Sequence, residues 1–473
     1  MAANALPVEL IELIFAHVSP TDDTKNLRLS CRAFADVGFP YLFTPSFTHM
    51  SWRDDVTRLE NWSRHERLRR HLRSWTVNLA RLNEHPGRHA SFFQYWFMDP
   101  EDRESLVLRQ GWAEFYAAEA RRKAMARLAE EEEEKGNAER LIDATARLGS
   151  LEQVRILFNE CPYEGVILRR AFADPSVRWF EPREVGTMLG MLTMVLRSCG
   201  YLKIFEVDRL PMKETPSVET ETVWGGFARS VGARLEEVKL GLDYSGPVEE
   251  ETFGETTEDV SGSWTKLVEV LLANCRRVKS LEVKQHFYRP LGDRTRKTGR
   301  LNKVLLRDTT WTLTDLKLEG FATTQEELSG FLRGQLATLK RLRLGGRGVA
   351  NVRDKSRGGI WLEMGTWFGF FTGLRDMLRA DEAEAGCVLE KIHLEGDFRQ
   401  VDRVEVDGED RGLVEKYDFY PTTDDDWEPL ETPAWVSGGL AANCLDGSAF
   451  ASYVLGDKDV GYPGFTERLL GDI

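Results

Sequence analysis

Few side chains in this sequence are of the types and spacings that catalysis needs. His85 and His89 stand four apart, the spacing at which two imidazoles on one helical face would grip zinc. Pro86 and Gly87 between them break the helix that would converge the rings. His65 and His71 lie among Arg64, Arg67, Arg69, Arg70 and Arg73, whose positive field disfavours a bound cation. Gly345-Gly346-Arg347-Gly348 follows an apolar run but lacks the lysine and hydroxyl residue that cradle phosphate and magnesium, so it reads as a turn. No nucleophile elbow, zinc-binding HExxH, phosphate loop or dinucleotide-type GxGxxG after a strand occurs. The sequence therefore assigns no catalytic residue, no metal ligand and no cofactor, and the expectation is a protein that is not an enzyme.

The elements that would have to position such groups read instead as binding surfaces. The chain has 473 residues, 42% apolar and 30% charged, enough for several domains and a sizeable core. Its 63 basic and 77 acidic residues give a net charge of −14, which argues against broad binding to nucleic acid or to an anionic membrane. Six cysteines (Cys31, Cys161, Cys199, Cys275, Cys387 and Cys444) lie far apart with no CxxC pair, the usage of reduced thiols in an intracellular protein. The opening MAANALPVELIELIF has no cationic region and carries Glu9 and Glu12 in its apolar stretch, unlike a signal peptide or a span. The sequon at Asn61 is taken as chance, and the expected location is cytoplasmic, nuclear or both.

Pro7 marks a helix start, with Leu6, Leu10, Ile11, Ile14, Phe15 and Val18 forming an apolar stripe too wide for one contact. The turn around Ser19 to Asp23 leads to a second set, Leu27, Leu29, Cys31, Phe34 and Val37, which ends at Gly38. Pro40 to Phe43 makes a third short segment. Helices this short cannot bury so much apolar surface among themselves, so some of it must face another body, either a partner or the protein's own core.

LPVELIELIFAHV followed by NLRLSCRAF resembles the F-box, over about a tenth of the chain. Thr24 and Ser30 depart from the pattern at positions that are usually apolar. The resemblance implies docking to a Skp-type adaptor and, through it, to a cullin. The anchors it implies are Leu6, Pro7, Leu10, Ile11, Ile14, Phe15, Leu27 and Leu29.

From residue 66 onward an apolar residue with apolar partners three and five positions later recurs: Leu72-Trp75-Val77, Leu151-Val154-Ile156, Leu202-Phe205-Val207, Leu235-Val238-Leu240, Val278-Leu281-Val283, Leu313-Leu316-Leu318, Leu339-Leu342-Leu344 and Leu389-Ile392-Leu394. The last two of each set share one face of a strand, and polar or charged residues stand between them. Amphipathic helical runs such as WTKLVEVLLANC, QEELSGFLRGQL and WFGFFTGLRDML precede the strands, so parallel strands with helices on the opposite side are expected.

The form LxxLxL, as in LEEVKL, LTDLKL and LKRLRL, resembles leucine-rich repeats. Spacings from Leu202 onward mostly exceed the roughly 20–29 residues of a regular repeat. The asparagine usual after the strand occurs only as Asn159, with Asp243, His286, Phe321 or Arg347 in other units. The expected fold class is thus α/β: a three-helix F-box, then an irregular leucine-rich-repeat-like solenoid, with a single open α/β sheet as the alternative.

The expected layout is an F-box module over 1–45, a helical connector over 46–66, the solenoid over 67–400 with an inserted long helix around 101–135, and an acidic, partly ordered Pro- and Gly-containing tail over 401–473. That tail includes a hairpin near Val404 to Gly408. The aromatic run from Phe92 to Met98 reads as core filling; Glu249 to Asp259 reads as an acidic loop and Arg289 to Lys303 as a basic one.

The function these features imply is that of a substrate-receptor subunit of a cullin-based, SCF-type ubiquitin ligase. The target protein would be read by solvent-facing residues such as Lys239, Lys284, Lys317, Arg343 and His393. The alternatives are an F-box scaffold acting outside ubiquitin ligation and an enzyme with a cryptic site in the 400–473 tail.

Overall fold

A computed structural model of the chain describes residues 6–18, 21–50, 54–80, 132–158, 182–197, 199–212, 214–243, 264–286, 311–346, 358–381, 388–406, 409–419, 444–445, 447–456, 460–463 and 468–470. It is an α/β protein with mostly parallel strands, divided into two compact units. Met1–Leu79, Asp99–Ile156 and Met194–Lys203 form the first unit; Ala80–Met98, Leu157–Thr193 and Ile204–Ile473 form the second.

The first unit opens with α1 (Val8–His17), α2 (Thr21–Arg28) and α3 (Arg32–Val37), followed by a short turn of helix at Pro40–Leu42. Pro7 stands just before α1 with φ of −54°, a value its ring imposes and which the helix start accepts. Ile11, Phe15 and Phe34 form the core of this triplet, with Leu27, Cys31, Val37 and Tyr41 packed against it. Phe15 meets Phe34 edge-on at 5.8 Å and stacks on Tyr41 at 5.5 Å. Gly38 is required there, since a Cβ at that position would come within 2.2 Å of the Phe15 ring.

Next come β1 (Ser46–Met50), α4 (Asp55–Arg64), α5 (Glu66–His71), β2 (Ser74–Asn78), α6 (Glu132–Arg147) and β3 (Gln153–Leu157). The expected all-helical connector over 46–66 thus contains a strand. Phe47 and Met50 are buried, and β1 runs parallel to β2 with Phe47 beside Trp75. The buried Asp55 carboxylate accepts the Met50 N–H at 2.8 Å and pairs with Arg58, which fastens strand to helix.

The long helix expected around 101–135 lies outside the described residues as far as 131. The helix that is described, α6, continues through Gly136, where the sequence pattern suggested an end. Beyond that glycine, Ala138, Leu141, Ala144 and Leu148 are buried at helical spacing, and this packing outweighs the roughly 1 kcal/mol that one glycine costs.

The second unit comprises α7 (Pro182–Leu196, its last residues counted with the first unit), β4 (Ile204–Pro211), α8 (Val218–Val231), β5 (Glu237–Asp243), α9 (Trp264–Asn274), β6 (Ser280–His286), β7 (Asp315–Glu319) and β8 (Ala322–Thr324). It continues with α10 (Gln325–Arg333), β9 (Arg341–Gly345), β10 (Trp361–Met364), α11 (Trp367–Asp381), β11 (Lys391–Val406), β12 (Glu409–Phe419), β13 (Cys444–Leu445), α12 (Gly447–Leu455) and β14 (Arg468–Leu470). Its strands lie in the order β4-β5-β6-β7-β9-β11-β10-β8, and β12 runs back antiparallel along β11.

The apolar sets coincide in register. Phe205, Val238, Leu281, Leu316, Leu342 and Ile392 stand side by side on consecutive parallel strands. The helices cover this apolar face. Phe205 packs on Phe227 of α8 at 5.0 Å, and Trp224 meets Trp264 of α9 at 5.0 Å while donating its Nε1–H to the Leu267 carbonyl at 2.8 Å. Cys275 is a packing thiol, its pKa pushed up to about 12 by burial.

No asparagine ladder follows the strands among the described residues, and Asn159 lies outside them. At the end of β5 the fully buried Asp243 instead pairs with the buried Arg209 of β4 at 2.9 Å. The tail is partly built into the unit: Phe450 and Tyr453 of α12 are buried, with Phe450 5.5 Å from Phe371 and 5.2 Å from Phe419. The expected hairpin near Val404 is present and longer than foreseen, since β11 and β12 pair from Gly396 with Phe419 to Val406 with Glu409. Among the described residues no helix is long and apolar enough to cross a membrane.

Candidate protein-docking surfaces

Two surfaces stand out, one in each unit. The first is α1, whose apolar residues divide between two sides. Ile11 and Phe15 are about 1% exposed, whereas Leu6, Leu10, Leu13 and Ile14 keep 40%, 47%, 56% and 36% of their surface. Leu10, Leu13 and Ile14 follow the i, i+3, i+4 rule and so share one side of the helix, with Leu6 a turn earlier. Val8 and Leu29 are exposed too, at 53% and 85%. Leu10, Leu13 and Ile14 thus form an exposed apolar stripe on α1, a candidate docking surface.

The anchor set read from the sequence divides between these two sides. Leu6, Pro7, Leu10, Ile14 and Leu29 face outward. Ile11 and Phe15 are internal, and Leu27 packs against the core they form, so these three hold the triplet together and offer little to a partner. Leu13 and Val8 are exposed as well and were not in that set. The signal for Leu13 was its place in the Leu10, Leu13, Ile14 spacing, a second stripe beside the one through Ile11 and Phe15.

The second surface is the polar face of the β4 to β11 sheet, opposite the helices. Alternation brings Glu206, Lys239, Glu282, Lys317, Arg343 and His393 into one row across six strands. The five residues chosen from the sequence all lie on this face, but the three lysines are not free cations. Lys239 is 2.9 Å from Glu237, Lys284 is 2.5 Å from Glu282, and Lys317 is 3.3 Å from Glu282 and 3.9 Å from Glu319.

Burial alone would raise the pKa of the Glu282 carboxyl, but Lys284, Lys317 and Lys239 outweigh it and hold the group down at about 2. Lys239 is held above its ordinary value because the hydrogen bond and charge of Glu237 overcome burial. His393 is buried, with Nε2 3.5 Å from the Glu395 carboxylate.

The residues considered for chemistry have structural roles where they are described. The ring of His65 accepts the Leu68 N–H and caps α5. His71 contacts the Phe43 carbonyl, and burial pushes its pKa down. Gly345, at a φ of +83°, ends β9, and a Cβ there would lie 1.9 Å from the Glu395 carbonyl oxygen, so this glycine serves a close backbone approach. His85, His89, the aromatic run at 92–98 and the loops at 249–259 and 289–303 lie outside the described residues. Among the described residues no group of three or more His, Cys, Asp or Glu is placed to hold a metal ion.

Compared with known proteins, the chain matches no family model, and no curated protein matches it.

Proposed function

We propose that the chain is an F-box-type substrate receptor: its N-terminal triplet docks to a Skp-type adaptor of a cullin-based ubiquitin ligase, and the polar sheet face of the second unit binds a target protein. The observation that carries this reading is the two-sided α1. One side closes the triplet's core on Phe34, while Leu6, Leu10, Leu13 and Ile14 remain in water. Apolar side chains at helical spacing seat themselves in a partner's groove, and a few buried anchors supply most of the affinity. The resemblance of LPVELIELIF to the F-box start names the partner class. Ubiquitin transfer itself belongs to other subunits, and this chain supplies proximity and orientation.

The test is a binding measurement between the full chain and a purified Skp-type adaptor. Leu10→Asp with Ile14→Asp is expected to weaken binding by at least about tenfold, because each puts a charge at a desolvated contact. Unchanged binding in a variant that melts like the parent would refute the docking assignment.

A further inference from the structure

We propose that Ser30, in the turn between α2 and α3, is a phosphorylation site that switches off docking by the N-terminal triplet. The inference rests on the reading that this triplet docks to an adaptor. Ser30 is exposed, and its Oγ–H donates to the Leu27 carbonyl at 2.6 Å, which also accepts the Ser30 N–H at 3.1 Å. One residue thus closes the last turn of α2 through two bonds to a single carbonyl.

A protein kinase needs a serine within reach, a chain that opens around it, and flanks it can read. The triplet has a core of only Ile11, Phe15 and Phe34, so its turns open at a smaller cost than the strands of the second unit. Arg28 and Arg32 stand two residues before and two after the hydroxyl, and Leu29 beside it is 85% exposed. Guanidinium groups on both sides suit an enzyme with an acidic substrate cleft.

The reaction takes the γ-phosphoryl group of a nucleoside triphosphate supplied with the kinase. The Oγ–P bond forms as the bond to the β,γ-bridging oxygen breaks, the nucleoside diphosphate leaves, and the hydroxyl proton passes to the kinase's base. The ester has no proton to donate to the Leu27 carbonyl, and its charge of about −1.5 to −2 lies at the negative end of α2. It swings away from that carbonyl toward the exposed Arg32.

Leu27 on one side of the turn and Cys31 on the other both pack on the triplet's core, so a turn pulled open displaces two of the side chains that seat α1. The same dianion stands next to Leu29, an outward apolar residue of the docking set, and a groove that desolvates such a residue excludes the charge. Phosphate therefore counters docking through both shape and charge.

The test treats the full chain with ATP and a purified kinase selective for serines flanked by arginine. Mass spectrometry reads the site, and adaptor affinity and hydrogen exchange read the effect. Phosphate is expected on Ser30, with adaptor binding weakened by about fivefold or more and faster exchange over residues 27–35. Ser30→Ala should bind like the parent and keep its affinity after the same treatment, and Arg32→Ala should slow modification by about threefold or more with the parent's melting curve. A chain that takes no phosphate at Ser30, or takes it with unchanged adaptor affinity, overturns the assignment. If the unmodified parent itself does not bind, the docking reading falls, and exchange over 27–35 then decides the site: faster exchange on phosphorylation supports it, and unchanged exchange overturns it.

Discussion

The N-terminal triplet buries Ile11, Phe15 and Phe34 and leaves Leu10, Leu13 and Ile14 in water, whereas β5, β6, β7 and β9 of the second unit bury all their leucines and valines and turn charged residues outward. The difference is one of size. Three helices of ten residues or fewer enclose too little volume to hide a wide apolar stripe, while stacked strand and helix pairs share one continuous core. The surplus apolar surface of the small body is where the proposed adaptor would sit. The large body has a surplus of charge, and it neutralises most of that charge itself.

The largest effects separate the two cores. Trp224→Ala should cost about 3–5 kcal/mol and lower the urea midpoint of the second unit, because it removes a buried ring packed among Phe205, Phe227 and Trp264. Phe15→Ala removes a comparable ring from a far smaller core, so hydrogen exchange should show the triplet's amides losing protection while those of β5 to β7 keep theirs.

Arg209→Leu comes next. It takes the guanidinium away from the buried Asp243 carboxylate, at an expected cost of about 3–5 kcal/mol. Arg209→Met with Asp243→Leu should recover most of that loss in the same denaturation experiment.

The pH response of the sheet face follows from Glu282. Its carboxyl has a pKa of about 2 in the folded protein against an ordinary value of 4.5, so the stability it contributes is present above about pH 5 and is lost as pH falls toward 2. Glu282→Gln should remove roughly 2–3 kcal/mol at pH 7 and flatten the acid limb of the stability curve. A limb of unchanged steepness would mean that other carboxylates carry it.

The smallest effect expected is that of Glu66→Gln on α5, whose partner Arg70 lies in water 2.7 Å away; a thermal melt should show a change in stability of no more than about 0.5 kcal/mol.

The strand sets were legible because alternation of period two writes itself directly into the sequence: Leu281 and Val283, or Leu342 and Leu344, have no other reading once a helix precedes them. The edge elements were not. β1 pairs along one edge through a five-residue run, SFTHM, in which Phe47 and Met50 do not alternate cleanly. β8 and β10 are three and four residues long, below what periodicity detects. Thr324 and Glu327 form a capping box that was present in the letters as TQEE and marks the start of α10.

On the docking surfaces, composition located the faces but not their state. Lys239 pairs with Glu237 and Lys284 with Glu282, each two residues away on its own strand, which alternation alone allows; that Lys317 also reaches Glu282 depends on the register of neighbouring strands, which a linear reading does not contain.

The buried pair at the ends of β4 and β5 also bears on how the sheet assembles. If β5 formed one residue out of step, the buried contact between the Arg209 guanidinium and the Asp243 carboxylate would be broken, and the misaligned arrangement would be disfavoured before neighbouring strands could build on it. Two residues that add little to the final stability thereby act as proofreaders of alignment, admitting only the pairing on which the next strand can be laid.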